Sequence, residues 1–593
     1  MTGPAVVRAP TMVDLRLLPA ALAAWVGVLV GTSGPGAPRV AVPLAGAAAA
    51  GALALALWWW RDTRSRPRTP GAHALTPGGS LRLGLALLAC AGTCGLVSGA
   101  GAQSAHSRDP TVGLVAGGAE RLWVTAVLLE DPTPTRSRWE TGAHAATVRV
   151  TEVTGRPTAG TAMMGAREAR PSSARMYATG TGWGHLARGD VVSLSGRVDA
   201  GFRADPPFAG TLRADDPELL LRPGGWVGAV REVRAALVRA CAGLSDQGRA
   251  LVPGMAIGDD RRMEETLRQA MLTSSLTHLT AVSGSHVAIL LGVVVAVVPG
   301  RGWARAAAAV VTMSALVAVV GPEPSVVRSV STAGVGVCGL LLRRPGQAHA
   351  ALCAVVVAVL LVDPWSARSF GFALSVLATW GVVGPAATWT RRVRRLARED
   401  TPAGRALTGA VAVGAVPVAA QLMVAPVLLL LNPWLPTWGV VANVLAAPAV
   451  APASLLGIAA ACVAPWWPRG AERLAGGAEF FTGWIAAVGG TVAGWPLARL
   501  PWPGGSPGIA GLLLLAATGL LGVRVVRRAG GRREVGRRRS ILREPPQGYG
   551  RAVTGGIAPL RAGRPPRSPD GRRRRALPRG RSRRRRPPRR GRP

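Results

Sequence analysis

Between residues 274 and 286 the chain reads Ser274-Ser-Leu-Thr-His-Leu-Thr-Ala-Val-Ser-Gly-Ser-His286, its densest polar cluster at the start of an apolar run. Two imidazoles, several hydroxyls and Gly284 in that setting can line a conduit or form a proton-sensitive site. They can equally serve as hydrogen bonds between closely packed helices. Read as one helix, positions 278, 282 and 286 fall within about a third of the circumference, which would turn His278 and His286 toward one cavity, and Ser283 is a further candidate for a polar path. No further ligand is spaced nearby, so no metal site is expected. Arg328 lies inside another apolar stretch after Pro324-Ser325, where it must face protein or water, with Glu323 a candidate partner. Gln421 and Asn443 are amides inside apolar runs. Gly254-Met-Ala-Ile-Gly-Asp-Asp-Arg-Arg262, with Gly258 and Asp259 at its centre, reads as a turn followed by charges.

The elements that must carry these residues are membrane spans. The 593 residues are 49% hydrophobic and 17% charged, against about 25% charged in soluble domains. Apolar runs of bilayer length place spans near 17–31, 40–60 and 81–102, then near 278–298, 304–320, 325–342, 347–363, 369–388, 405–431, 437–464, 478–497 and 508–523. Arg-bearing loops fall on alternate ends: Arg301/Arg305, Arg343/Arg344, Arg391 to Arg398, Arg469/Arg473 and Arg524 onward. The other ends carry Pro322-Glu323-Pro324, Asp363-Pro364-Trp365 and Asn432-Pro433-Trp434. This alternation obeys the positive-inside rule. Pro448 and Pro452 suggest that 437–464 is a broken or re-entrant pair.

Between the two groups of spans the texture changes. Leu122 to Leu128, Ala146 to Val153, Val191 to Val198 and Glu218 to Leu221 alternate with period two and are punctuated by Gly, Pro and Asp. This reads as a small extracytoplasmic antiparallel β-barrel or sandwich, OB-like, with a turn at Arg188-Gly-Asp before a strand. Such a domain binds single-stranded nucleic acid through a basic groove and stacked aromatics. The candidates are Trp123, Trp139, Tyr177, Trp183, Phe202 and Phe208, with Arg188 and Arg197 for phosphate, and core packing is the better account for most of these six aromatics. Trp226 to Leu244 and Glu264 to Leu276 read as amphipathic helices at the interface or packed on the bundle.

The net charge of +40 is uneven: from Arg524 onward there are 26 Arg against Glu534, Glu544 and Asp570. The chain has 70 Lys+Arg and none is Lys, so a Walker A nucleotide site and Schiff-base chemistry are excluded. Six cysteines without a CxxC pair read as small buried hydrophobes rather than a disulfide framework. The Arg/Pro/Gly-rich tail reads as disordered, of a composition that an out-of-frame reading of GC-rich DNA produces.

The motifs then line up. Ile257-Gly-Asp-Asp, Leu267-Arg-Gln-Ala and Leu276-Thr-His-Leu-Thr-Ala-Val-Ser-Gly-Ser-His-Val resemble the competence region of the ComEC family. Pro324-Ser-Val-Val-Arg328, Asp363-Pro364, Phe370-Gly-Phe-Ala-Leu-Ser375, Ala420-Gln421 with Pro426, and Ala442-Asn443 with Pro448 follow in the family's order. Ser285 and Ala373 depart from the family's usual Leu and Gln. The resemblance implies a multi-pass inner-membrane channel that takes up single-stranded DNA in natural transformation. It implies a DNA receptor and a cytoplasmic ATP-driven motor or single-strand-binding proteins as partners, and is compatible with a homo-oligomer. Gly258, Asp259, His278, Ser283, Gly284, His286, Arg328, Ser375, Gln421 and Asn443 carry the family motif or line the channel in this reading. Many members add a metallo-β-lactamase-like nuclease with an HxHxDH cluster. The His here, at 73, 106, 144, 185, 278, 286 and 349, form no such cluster, so neither nuclease activity nor a cofactor is expected. The expected domains are spans over 1–110, the OB-like domain over 118–222, interfacial helices over 226–276, the channel core over 277–523 and the tail over 524–593. A small-solute secondary transporter and a non-functional truncated relative are the rival readings.

Overall fold

The computed structural model describes residues 15–34, 77–135, 142–155, 169–199, 205–280, 284–299, 302–321, 348–397 and 401–519, with a few single residues besides. The expected spans at 40–60 and 325–342, the tail, and Trp139, Phe202, Ser283 and Arg328 lie outside the described residues. Contacts divide the chain into residues 1–516 and 517–593, and the β-domain and the helical body both belong to the first unit.

Two helices open it, α1 (Leu18–Gly31) and α2 (Pro77–Ser107). They touch backbone to backbone because glycines meet at the crossing. A Cβ on Gly27 would stand 2.3 Å from the Gly92 carbonyl oxygen, and one on Gly95 would stand 2.4 Å from that of Ala24. Close approach through small residues is the main source of helix association where lipid removes the hydrophobic drive. Gly95→Leu therefore has no room, and the expected result is a loss of about 3 kcal/mol, read as a lower melting temperature of the chain in detergent.

A short helix, α3 (Pro110–Ala116), leads into the sheet. Its cap, Asp109, accepts from the Thr111 N–H at 2.9 Å, the Ser172 hydroxyl at 2.8 Å and the Ser173 N–H at 2.8 Å, which fastens the helix to the β-domain. The strands are β1 (Arg121–Leu128), β2 (Thr133–Pro134), β3 (His144–Gly155), β4 (Arg170–Pro171), β5 (Arg175–Gly180), β6 (Val191–Asp199), β7 (Phe208–Arg213) and β8 (Glu218–Leu221). They form one eight-stranded mixed sheet rather than a purely antiparallel one. Its path runs β1-β3-β5-β7-β6-β8, β1 also pairs with β6, and β5 and β7 run parallel. Period-two burial in β1 sends Leu122, Val124, Ala126 and Leu128 into a core shared with Val148, Val150, Met176, Val192, Leu194 and Leu212.

The helical body follows: α4 (Gly225–Ala240), α5 (Asp246–Ile257), α6 (Glu265–Thr273), α7 (Gly284–Val297), α8 (Gly302–Val320), α9 (Ala348–Val362), α10 (Phe370–Gly381), α11 (Ala387–Leu396), α12 (Pro402–Leu431), α13 (Gly439–Val463) and α14 (Pro468–Ala493). Among the described residues, five stretches are long and apolar enough to cross a membrane, namely Gly84–Ser107, Trp303–Val320, Phe370–Leu396, Pro402–Leu431 and Gly439–Val463. The chain is thus a polytopic helical membrane protein with a β-domain. The proline pair does not break α13, which runs unbroken through Pro448 and Pro452. Small residues explain why: Ala442, Ala446, Ala449 and Ala453 pack on Ile485, Ala486 and Val488 of α14, and that packing supports the backbone where proline removes its hydrogen bonds. Helix α5 also differs from an interfacial expectation. Nine of its 12 residues are buried, and it touches both α13 and α14. The surface helices of that region are α4 and α6. A two-stranded pair, β9 (Trp434–Pro436) with β10 (Arg499–Pro501), links the end of α12 to the end of α14.

Candidate functional site

Two polar groups stand out. The first lies where α6, α12 and α13 meet. Helix α6 ends in a turn that places Ser275 at φ 60°, a left-handed conformation that a residue with a Cβ adopts at a cost of about 1–3 kcal/mol. Gly439, the first residue of α13, faces it, and a Cβ there would come 2.9 Å from the Ser275 Cβ. The strained turn aims the Ser275 carbonyl at two side chains. His278 Nδ1 lies 3.1 Å from it, and Asn443 Nδ2 donates to it at 3.3 Å while also donating to the Gly439 carbonyl at 2.7 Å. The Ser275 hydroxyl donates to Gln421 Oε1 at 3.4 Å. Three of the residues singled out in the sequence, His278, Gln421 and Asn443, are therefore brought together, around a serine that was not. The signal that could have found it is Ser274-Ser275 just past the last turn of a helix, where a left-handed residue commonly ends the element.

At the edge of this group Arg499 donates to the Thr273 hydroxyl at 2.8 Å and to Gln269 Oε1 at 2.9 Å, with its guanidinium 4.9 Å from the Trp434 ring centroid. The β9–β10 pair is thereby held against α6.

His278 and His286 do not share a helical face. His278 sits in a 3₁₀ turn, Thr277–Leu279, and α7 begins only at Gly284. With the two on separate elements, helical spacing says nothing of a common cavity, and that expectation is corrected. His286 is fully buried, and its neighbour Val287 packs against Met313 and Leu316 of α8. Ser375 lies in α10 with its carbonyl accepting from the Thr379 hydroxyl, on an element other than those that form the Ser275 group.

The second group joins the β-domain to the helices. Gly258 ends α5 at φ 74°, a conformation that suits glycine, and turns Asp259 inward. Asp259 is 6% exposed and takes a two-point contact from Arg261, Nε to Oδ1 at 2.7 Å and Nη2 to Oδ2 at 2.6 Å. The Gly258-Asp259 pair is thus a buried ionic turn rather than a solvated loop. Beside it, Asp131, just past β1, accepts from Arg234 Nη2 at 2.7 Å and from the Arg188 N–H at 2.9 Å. Arg234 Nη1 also donates to the carbonyls of Ile257 at 2.9 Å and Val319 at 2.8 Å. One guanidinium therefore ties the sheet to the ends of α5 and α8. A parallel tie joins Arg231 of α4 to the buried Asp190.

Burial alone would raise the pKa of both carboxylates. For Asp131 the charges of Arg234 and Arg261 prevail, and for Asp259 the hydrogen bond and charge of Arg261 do, so both end below the ordinary carboxylate value. A depressed folded-state pKa gives stability that is present above the ordinary aspartate pKa of about 4 and is lost as pH falls through the lowered value. Acid titration followed by release of the sheet to limited proteolysis should show the junction intact at pH 6 and failing only below about 4; failure near neutrality would contradict the assignment.

The nucleic-acid candidates of the sheet separate. Trp183 is fully buried, donating from Nε1 to the Ala214 carbonyl at 2.9 Å. An indole enclosed in the β-core cannot stack on a base, which removes Trp183 from the candidates. Arg188 is half-buried with its guanidinium against Gly321, where a Cβ would come 2.2 Å from Nη1. It belongs to the junction rather than to an open face. Trp123 (37% exposed) and Arg197 remain on the surface. Among the described residues no group of three or more His, Cys, Asp or Glu is placed to hold a metal ion.

Beyond this geometry, residues 255–528 match the family model described as Competence protein. That span contains the Ser275 group and the ionic turn and excludes the β-domain. Over 136 residues the chain is 27% identical to ComE operon protein 3 of Bacillus subtilis (strain 168), a stretch that covers 22% of this chain and 18% of that protein. No solved structure matches.

Proposed function

We infer from the match of residues 255–528 to the Competence protein family that this chain serves DNA uptake, passing one strand across the cytoplasmic membrane. The observation that carries the reading is the Ser275 group. Polar atoms from α6, the turn at His278, α12 and α13 converge inside an apolar helical body. His278 sits at the edge of the group with an exposed side chain. A polyanion crossing hydrocarbon needs such a polar, wetted path, because unpartnered polar groups at that depth are costly.

The β-domain receives the strand in this reading. A ring of pairings, β1-β3-β5-β7-β6 and back to β1, with β5 and β7 parallel, supports an OB-like barrel, a fold suited to single strands. Without a lysine for a P-loop the chain supplies no such nucleotide-driven force. A cytoplasmic motor and an external DNA receptor, the partners that the family resemblance implies, would supply the force and the substrate. The test is deletion of the coding sequence in the host, followed by uptake of labelled DNA. Loss of internalised label with surface-bound label retained supports the reading. Unchanged internalisation overturns it, and a concurrent defect in uptake of a small solute would favour a transporter.

A further inference from the structure

The sheet carries an arrangement that the Ser275 group does not use. Arg121 of β1 pairs in register with Arg197 of β6, and Arg197 pairs in register with Arg213 of β7. All three side chains are exposed. Residues directly opposite on neighbouring strands project from the same face, and strands lie about 4.8 Å apart. The three arginines therefore rise from one row about 10 Å long across the strands. Gly196 permits the closeness: a Cβ there would come 1.9 Å from the Arg213 carbonyl oxygen, so β6 and β7 meet only because the side chain is missing.

Like charges directly opposite in a sheet are destabilising, and the sequence places two such pairs end to end. One step along β1 on the same face stands Trp123, in register with Ser195 and 37% exposed. A line of arginines beside an exposed indole matches the two needs of a single strand, charge for consecutive phosphates and a flat surface for a base. A lipid headgroup layer needs the charge but not its alignment in a single row.

We propose that Arg121, Arg197 and Arg213 form a phosphate track for single-stranded DNA across β1, β6 and β7, with Trp123 as its stacking platform. The track rests on the DNA-uptake reading and gives that reading an entry surface outside the helical body. Arginine donates in a planar fork that grips phosphate at two points, which suits a track better than scattered point charges.

The test uses the full chain in neutral-lipid nanodiscs and a fluorescent oligothymidylate, with affinity measured against salt. Each phosphate neutralised on a single strand contributes about 0.7 to the slope of log K against log salt. Arg121→Gln, Arg197→Gln and Arg213→Gln together should flatten the slope by about 2. Trp123→Ala should weaken binding about tenfold with the slope unchanged. Replacing the three by Lys should restore most of the slope, which a merely misfolded sheet would not do. An unchanged slope in the triple Gln variant overturns the track, as does a triple Gln variant that loses affinity for phosphatidylglycerol vesicles but not for the oligonucleotide. Normal DNA uptake after deletion, with the track's salt dependence intact, would overturn the uptake reading alone.

Discussion

Arg234→Met should cost about 3 kcal/mol of stability and free the β-domain to proteolysis at its junction with the helices. The side chains of Arg234 and Asp131 are only 16% and 12% exposed. Removing the guanidinium deletes its bonds to Asp131, Ile257 and Val319 at once. It leaves a largely enclosed carboxylate with the Arg188 N–H and the weaker Arg261 pairing at 3.9 Å. A buried charge that loses its partner is penalised far more than the intact pair was worth. Asp131→Asn in the same background should recover part of the loss, because the orphaned charge goes with it. Arg234→Lys should recover little, since one ammonium cannot serve three acceptors arranged for a fork. Melting of these variants and of Asp131→Asn alone, in one detergent, checks this. Additive losses would show that the two residues act independently.

Asn443→Leu should reduce DNA internalisation at least tenfold while changing stability by less than about 1 kcal/mol. Hydrogen bonds between membrane helices average about 0.6 kcal/mol, so a purely structural amide would be nearly silent in both readouts. A conduit residue is silent only in stability, because an isobutyl group in the path excludes water and phosphate alike. Gln421→Leu should behave in the same way through its loss of the Ser275 contact. Ser454→Ala is the control: it lies in the same helix as Asn443, buried, and donates only to the Val450 carbonyl at 2.7 Å. Its removal should leave uptake normal. Equal losses in Asn443→Leu and Ser454→Ala would place the effect in helix packing rather than in a path.

Much of this was readable in the chain. Alternation in Leu122 to Leu128 and Val191 to Val198 announced strands that the structure places at Arg121–Leu128 and Val191–Asp199. The apolar run at 405–431 became a helix close to its expected bounds, Pro402–Leu431. Local pattern failed where tertiary packing decides. Which of the candidate aromatics is core was not legible locally: the β-core encloses Trp183 and leaves Trp123 on the surface. His278 and His286 keep helical spacing, but a 3₁₀ turn ends before the helix that carries His286 begins. The position of Ser275 just past a helix end hinted at its left-handed backbone, but its fit against Gly439 and Asn443 shows only in the packing. The α1–α2 crossing was legible in principle from Gly27 and Gly31 four residues apart, a spacing that lets membrane helices meet at the backbone. The fused character of α13 was not, because prolines argue for a break until the alanine face packed on α14 is known.

The central claim is that the strand passes the Ser275 group. A photocrosslinking residue placed at position 278, in cells whose uptake is arrested with a long labelled single strand in transit, tests it most directly. Position 422 serves as the reference, since Leu422 is exposed at 58% on α12, the same helix as Gln421. The account predicts a DNA adduct at 278 that disappears in Asn443→Leu, and none at 422. Adducts to lipid alone at both positions, or to DNA at both alike, would contradict it.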